Sequence, residues 1–274
     1  MGKGCVNQLL KDAHAAYVNL DKRPDRRSRM ELSLRVAGIN AVRKRGLLPE
    51  EVKVDPSRIK AMLDRPQKGA IGCHFSQVSI MEDSLALGKH ALVMEDDLVF
   101  CADFQKRIAY LDYFSRTNPW DVFWLGATFH VGPPYWHVND ERGCRPMLQD
   151  ARWMGVDWPR MVRTFGCFCT YAYLVNKNSI AKILNMIDQK LPLSIGIDHM
   201  FIMLQPDLLC YSFVPGMVKQ YDHISDIGVG KHGPAMTVFS NFARLNGSLE
   251  NSAYWWQNLV EDFDPEEFDW KEAK

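Results

Sequence analysis

The chain alternates short apolar runs with longer stretches in which apolar residues return every three or four positions. This is how strands followed by amphipathic helices look in sequence. His14 to Leu20 reads as the first strand. Pro24 suits the first turn of a helix over Arg26 to Ala37, and Gly38 can end it. Ile39 to Lys44 reads as a second strand, and Asp55-Pro56 opens a short helix through Met62. A loop, Arg65 to Gly72, leads into a helix from Cys73 to Leu87, whose Phe75, Val78, Met81 and Leu85 fall on one face. In the run HALVMEDDLVF, His90 to Phe100, the next strand ends in Glu95-Asp96-Asp97; a helix (Ala102 to Ser115) and a strand (Asp121 to Leu125) follow. Beyond residue 164 the pattern gives a strand (Phe165 to Val175), helices (Asn178 to Ile187, Gly196 to Leu204) and a strand (Leu208 to Val214). The β-α-β alternation predicts an α/β fold with a mostly parallel sheet and helices on both faces.

Residues 128–164 break the rhythm, with four prolines, the tryptophans Trp136, Trp153 and Trp158, and no clear period. A long irregular excursion is expected there, with indoles able to pack in the core or stack on a ligand. The tail from Asn251 is aromatic and acidic.

Composition narrows the class. At 274 residues and 47% hydrophobic content this is a globular chain. Its apolar stretches are too short to span a bilayer, so no transmembrane segment is expected. Seven cysteines without a CxxC pair point to a reducing, cytoplasmic setting. The formal charge is zero, yet residues 1–68 carry sixteen Lys or Arg against eight Asp or Glu. Residues 261–274 carry seven acids against two lysines. A neutral chain without an extended basic face is not expected to bind nucleic acid, whereas a basic N-terminal quarter suits a small anionic ligand.

The sharpest chemical feature is Glu95-Asp96-Asp97 at the end of an apolar strand. Open α/β sheets bind ligands beyond the carboxyl ends of their strands. On extended chain Glu95 and Asp97 would point one way and Asp96 the other. Paired carboxylates of this kind suit Mg²⁺ or Mn²⁺, ions that bridge carboxylates to substrate phosphates. The first strand leaves into Asn19-Leu20-Asp21-Lys22-Arg23-Pro24-Asp25-Arg26, a basic turn before a helix N-terminus, fit for a phosphate group. Neither a glycine-rich dinucleotide fingerprint nor a P-loop occurs.

Taken together, these segments resemble glycosyltransferase family 25, which includes bacterial lipooligosaccharide and collagen galactosyltransferases. The resemblance rests on Val18-Asn19-Leu20 with Arg23, Asp25 and Arg26, and on Ala70 to Ser76 and Ala91 to Val99. It continues through Thr170 to Leu184, Asp198, and Pro215, Gln220, Ser225, Asp226 and Ile227. Gln77 departs from it, standing where a histidine is usual.

The resemblance implies a GT-A fold: a nucleotide-sugar half (1–127), the excursion on the acceptor side (128–164), an acceptor half (165–250) and the tail (251–274). It also implies metal-dependent, inverting transfer of a hexose from a UDP-sugar to a glycan or glycosylated acceptor, as in lipopolysaccharide biosynthesis. Asn19, Leu20, Arg23, Arg26, Ser76, Glu95 and Asp96 would line the nucleotide site. Asp97, with Glu95 behind it, would hold Mn²⁺ or Mg²⁺, with His223 or Asp226 as a third ligand. Asp198 would be the general base. Two rivals stay open: a degenerate binder of nucleotide sugars or glycans, and a metal-dependent phosphohydrolase.

Overall fold

The computed structural model describes residues 7–64, 68–129, 144–146, 160–164, 167–191, 196–214 and 216–220. After a single-turn helix, α1 (Gln8–Lys11), strand β1 (Ala13–Asn19) runs into helix α2 (Pro24–Ala37). Pro24 opens α2 where its missing N–H costs nothing, and Gly38 closes it at φ 68, its N–H capping Arg35 and Leu34 carbonyls. Strand β2 (Val42–Arg45) starts three residues later than the pattern suggested. Asp55 caps a 3₁₀ turn, Pro56–Ile59, that runs into α3 (Lys60–Leu63). Then come α4 (Gly69–Ala86), β3 (His90–Met94), β4 (Leu98–Phe100), α5 (Phe104–Thr117) and β5 (Val122–Phe129). Strands β6 (Cys144–Pro146), β7 (Arg160–Thr164) and β8 (Cys167–Val175) lead to α6 (Ile180–Lys190) and α7 (Ile197–Leu204). Strands β9 (Cys210–Val214) and β10 (Val218–Gln220) complete the described chain.

Eight strands form one sheet in the order β2-β1-β3-β8-β5-β9-β7-β6. The β1–β2, β1–β3 and β5–β9 pairs are parallel, and β8 and β7 run against their neighbours. Six of the eight strands thus point the same way, the α/β sheet expected of a GT-A fold. Alternate residues of each strand feed two cores. Tyr17, Leu92 and Met94 pack with Met30, Leu34, Phe104, Ile108 and Phe114 of α2 and α5. Ala16, Ala91 and Val93 pack on the other side with Ile80, Met81, Ile183 and Phe201 of α4, α6 and α7. Helices therefore cover both faces, and no helix among the described residues is long and apolar enough to cross a membrane.

Three expectations need correction. First, the strand expected to end in Glu95-Asp96-Asp97 is shorter and does not include the acids. It stops at Met94, the chain bends at Asp96 and Asp97, and Leu98–Phe100 leaves the sheet to pair antiparallel with β10. Second, α4 begins at Gly69, so residues assigned to a loop are helical, and its buried face includes His74, Gln77, Ile80, Met81 and Ser84. Phe75 and Val78 are only partly buried, and Leu85 is 43% exposed. Polar side chains occupy part of the buried side, Gln77 and Ser84 with hydrogen-bond partners there, so apolar periodicity misplaced the face by about a residue. Third, the 128–164 interval is not structureless: β6 and β7 pair with each other, and β7 pairs with β9. Trp136, Trp153 and Trp158 lie outside the described residues, as does the tail.

Two glycines allow close crossings. A Cβ on Gly72 would run into the carbonyl of Leu47, and one on Gly126 into that of Val218. Gly126 also sits at a register irregularity in β5, which makes room for β10 to cross the strand. Gly126→Ala should therefore destabilise the protein by roughly 1–3 kcal/mol, the usual cost of overpacking. A urea titration checks this: an unchanged midpoint would mean that the ribbon is free to move away.

Candidate active site

The site lies beyond the ends of β1 and β3, where three segments converge on the acidic run. From β1, Asn19 is buried (1% exposed), and its Nδ2 donates to Asp96 Oδ2 at 2.6 Å and to the Arg23 carbonyl at 3.0 Å. From the first turn of α2, Arg26 donates through Nη1 to Asp96 Oδ1 at 2.8 Å and lies 3.7 Å from Asp97 Oδ2. From β10, Gln220 Nε2 donates to Glu95 Oε2 at 2.8 Å and reaches Asp97 Oδ2 at 3.4 Å. The backbone holds the run too, since the Glu95 N–H donates to the Tyr171 carbonyl at 2.8 Å.

Asp96 is thus not turned away from the site. The pleat that would have sent it to the opposite face ends at Met94, so Asp96 and Asp97 both reach the same guanidinium. Both are buried, at 6% and 2% exposure. Arg26, read as a phosphate ligand, is buried here with its guanidinium turned onto these acids. Burial opposes its charge, yet Asp97 and Asp96 hold its pKa above the ordinary arginine value. Burial raises the Asp96 pKa, as does Asp97, while Arg26 and Asn19 pull it back. Glu95 is pushed well above the carboxylate range by burial and then by Asp97, Asp96 and Asp198.

That last influence is informative, because Asp198 is far away in sequence. It sits in the first turn of α7, close enough for its charge to act on Glu95 and on Cys73. Its side chain is 28% exposed, and its Oδ1 accepts the His199 N–H at 2.8 Å and lies 3.1 Å from His199 Nδ1. Asp198 thus lies near enough for its charge to be felt at Glu95, on a helix that packs against β8 and α4.

Other expected residues have partners within the chain. Ser76 donates to the Gly72 carbonyl at 2.6 Å and accepts the Leu47 N–H at 2.8 Å, tying the loop after β2 to α4. Arg23 forks onto Asp25 at 2.7 and 3.0 Å and draws its carboxyl down to about 2. Leu20 is half-buried, and its carbonyl accepts the Arg23 N–H at 2.9 Å to close the turn. His223 and Asp226 lie outside the described residues.

Sequence reasoning gave no role to Arg43, which donates to Asn19 Oδ1 at 2.8 Å and so fixes the amide whose nitrogen grips Asp96. It also missed the use of Gln77, noticed only as a departure. His74 beside it is fully buried, with neither ring nitrogen hydrogen-bonded among the described residues.

The donors suit a hard divalent ion: carboxylate oxygens, mutually repelling, partly shielded from water. Among the described residues no three His, Cys, Asp or Glu side chains converge to hold an ion by themselves. Such a seat fits the magnesium pattern of one or two carboxylates completed by water and substrate phosphate.

Similarity to known proteins bears on this acidic cluster and the basic turn beside it. No family model matches the chain. It is 35% identical over 127 residues to a glycosyltransferase 25 family member from Aedes aegypti, covering 42% of this chain and 21% of that protein. It is 33% identical over 129 residues to a rat protein named probable inactive glycosyltransferase 25 family member 3, covering 40% of this chain and 22% of that one. The human inactive glycosyltransferase 25 family member 3 is 34% identical over 129 residues, covering 40% and 21%. The chain thus spans about a fifth of the length of these relatives, and the resemblance to family 25 read from its motifs is borne out over that stretch.

The buried histidine supplies a stability prediction. Burial lowers the His74 pKa to about 4, whereas the unfolded chain takes up its proton near 6.5. Below 6.5 the unfolded state binds more protons, so stability present above that pH is lost as pH falls toward 4. The full effect is on the order of 3 kcal/mol. His74→Phe should flatten the pH dependence of chemical denaturation between 6.5 and 4; an unchanged slope would show that the imidazole charges without unfolding.

Proposed function

We propose that this protein is a metal-dependent, inverting glycosyltransferase that moves a hexose, galactose or glucose, from a UDP-sugar to a hydroxyl of a glycan or glycosylated protein. The observation behind this reading is the convergence of Asn19, Arg26 and Gln220 on Glu95, Asp96 and Asp97 at the strand ends, with the charge of Asp198 reaching Glu95. Similarity to glycosyltransferase 25 family members over about 40% of the chain supports transfer chemistry. In the reaction the acceptor oxygen attacks the anomeric carbon, and the bond from that carbon to the diphosphate oxygen breaks, its electron pair leaving with UDP. The acceptor proton passes to the Asp198 carboxylate. A bound Mn²⁺ or Mg²⁺, held by Asp97 with Glu95 behind it, would neutralise charge on the leaving diphosphate. Arg23 would add a charge-assisted contact to that group, and Arg26 would keep the acids in place. We assign the activity to the cytoplasm on the odd, unpatterned cysteines of the sequence.

A second reading, a nucleotide-sugar or glycan binder without turnover, is favoured by one observation: Arg26 already partly neutralises the acids. Release of UDP measured with and without acceptor separates the readings. Transfer requires acceptor, a phosphohydrolase does not, and a binder releases nothing.

Two variants locate the chemistry. Asp97→Ala should abolish both turnover and metal-dependent nucleotide binding. Asp198→Asn should lower kcat by roughly 10²–10⁴-fold while leaving UDP-sugar affinity nearly unchanged, because a general base acts in the transition state. Normal turnover by Asp198→Asn would return that carboxylate to a helix-start role. Asp96→Ala should also be damaging, since it strips Arg26 and Asn19 of a buried partner; wild-type stability and activity in that variant would refute the arrangement.

A further inference from the structure

Glu95 lies between two glutamines that arrive from opposite ends of the chain. Gln77, on α4, is fully buried, and its Nε2 lies 3.3 Å from Glu95 Oε1 and 3.3 Å from Thr170 Oγ1. Its Oε1 accepts the Tyr173 hydroxyl at 3.1 Å. Burial lifts the Tyr173 pKa well above its usual value, so that phenol keeps its proton and remains a donor. A donor on the oxygen side fixes the amide, leaving the nitrogen to face Glu95. Gln220, on the short β10, takes the other oxygen, Oε2, at 2.8 Å and extends the same nitrogen to Asp97 Oδ2 at 3.4 Å. Each oxygen of Glu95 therefore receives an N–H from a different glutamine, and one of those glutamines also spans the gap to Asp97.

We propose that Gln77 and Gln220 are positioning residues: a neutral amide clamp that sets the orientation of Glu95 and its separation from Asp97 for a divalent cation. This rests on the reading of those two acids as the cation seat. Two neighbouring carboxylates repel and would splay apart unless held. A second cationic side chain between Glu95 and Asp97 would hold them, but its charge, added to that of Arg26 beside Asp97, would oppose an incoming cation further. An amide N–H supplies the hydrogen bond without the charge and occupies one of the two acceptor positions on each oxygen, leaving the other for the ion. Hydrogen-bonded partners of ligating carboxylates orient them in this way at metal sites generally. Gln220 is only partly buried on a three-residue strand and could turn to water at little cost, yet it points into the acids.

The test is Mn²⁺ affinity, measured by calorimetry on the intact chain without nucleotide and checked by the electron paramagnetic resonance line shape of bound Mn²⁺. Gln220→Met and Gln77→Met keep the length and remove the donor. Each should weaken Mn²⁺ by about 10–100-fold, the range for loss of an outer-shell partner, and should alter the line shape. Unfolding of Gln220→Met in chelator should match the parent protein, which separates positioning from support of the fold even if Gln77→Met folds poorly. Parental Mn²⁺ affinity in folded Gln220→Met overturns the clamp, and if Asp97→Ala still abolishes binding, the cation seat survives without it. Failure of the parent protein to bind Mn²⁺ overturns both, because the clamp would then have nothing to position.

Discussion

The Arg26 guanidinium, held against Asp96 and Asp97, is the interaction on which the rest of this site depends. Three consecutive acids just past a strand end create a concentration of negative charge, with Asp96 and Asp97 both buried. A buried charge without a partner is among the most costly features a fold can carry, and removing one member of such a pair generally costs several kcal/mol. The local structure around Arg26 follows from this need. Pro24 starts α2 early enough to put residue 26 in its first turn, the Leu20–Arg23 turn points that helix at the end of β3, and Asn19 supplies a second donor to Asp96. Arg43 in turn fixes the Asn19 amide. Edge strand, turn, helix and acids are thus linked by a single chain of hydrogen bonds.

The same arrangement explains what could and could not be read in the sequence. Order and type of the main elements were legible because apolar runs and 3.6-residue spacing are imposed by the two cores on either side of the sheet. The Pro24 start and Gly38 stop of α2 were legible because they are local backbone chemistry. Motif resemblance is what groups the acids and Asp198 as candidates for one site. The orientation of the acids was not legible, because alternation holds only while the chain is extended, and a bend begins two residues past Met94. The face of α4 was misplaced for a related reason. Apolar spacing assumes that the buried side is apolar, whereas His74, Gln77 and Ser84 are buried there. Strand β10 is three residues long and finds its partner 118 positions away at Val218 and Phe100, a pairing with no local signature.

The acids also show why the sheet is built from both parts of the chain. Strand β8, from beyond the 128–164 interval, inserts antiparallel between β3 and β5, and its Tyr171 carbonyl takes the N–H of Glu95. Thr170 and Tyr173 on that strand steady Gln77, and Gln220 comes from further on still. Glu95 is therefore held by groups from α4, β8 and β10, while Asp96 is held entirely from β1 and α2. The run divides its labour along three residues. Asp96 anchors the segment to the early elements, Glu95 anchors it to the later ones, and Asp97, next along the chain, lies within reach of both Arg26 and Gln220. A residue positioned from both sides is the one best prepared to bind a charged ligand without rearranging, since its ordering cost is met during folding. That is a physical reason, independent of any resemblance, for treating Asp97 as the centre of the candidate site and the two acids before it as the means of holding it there.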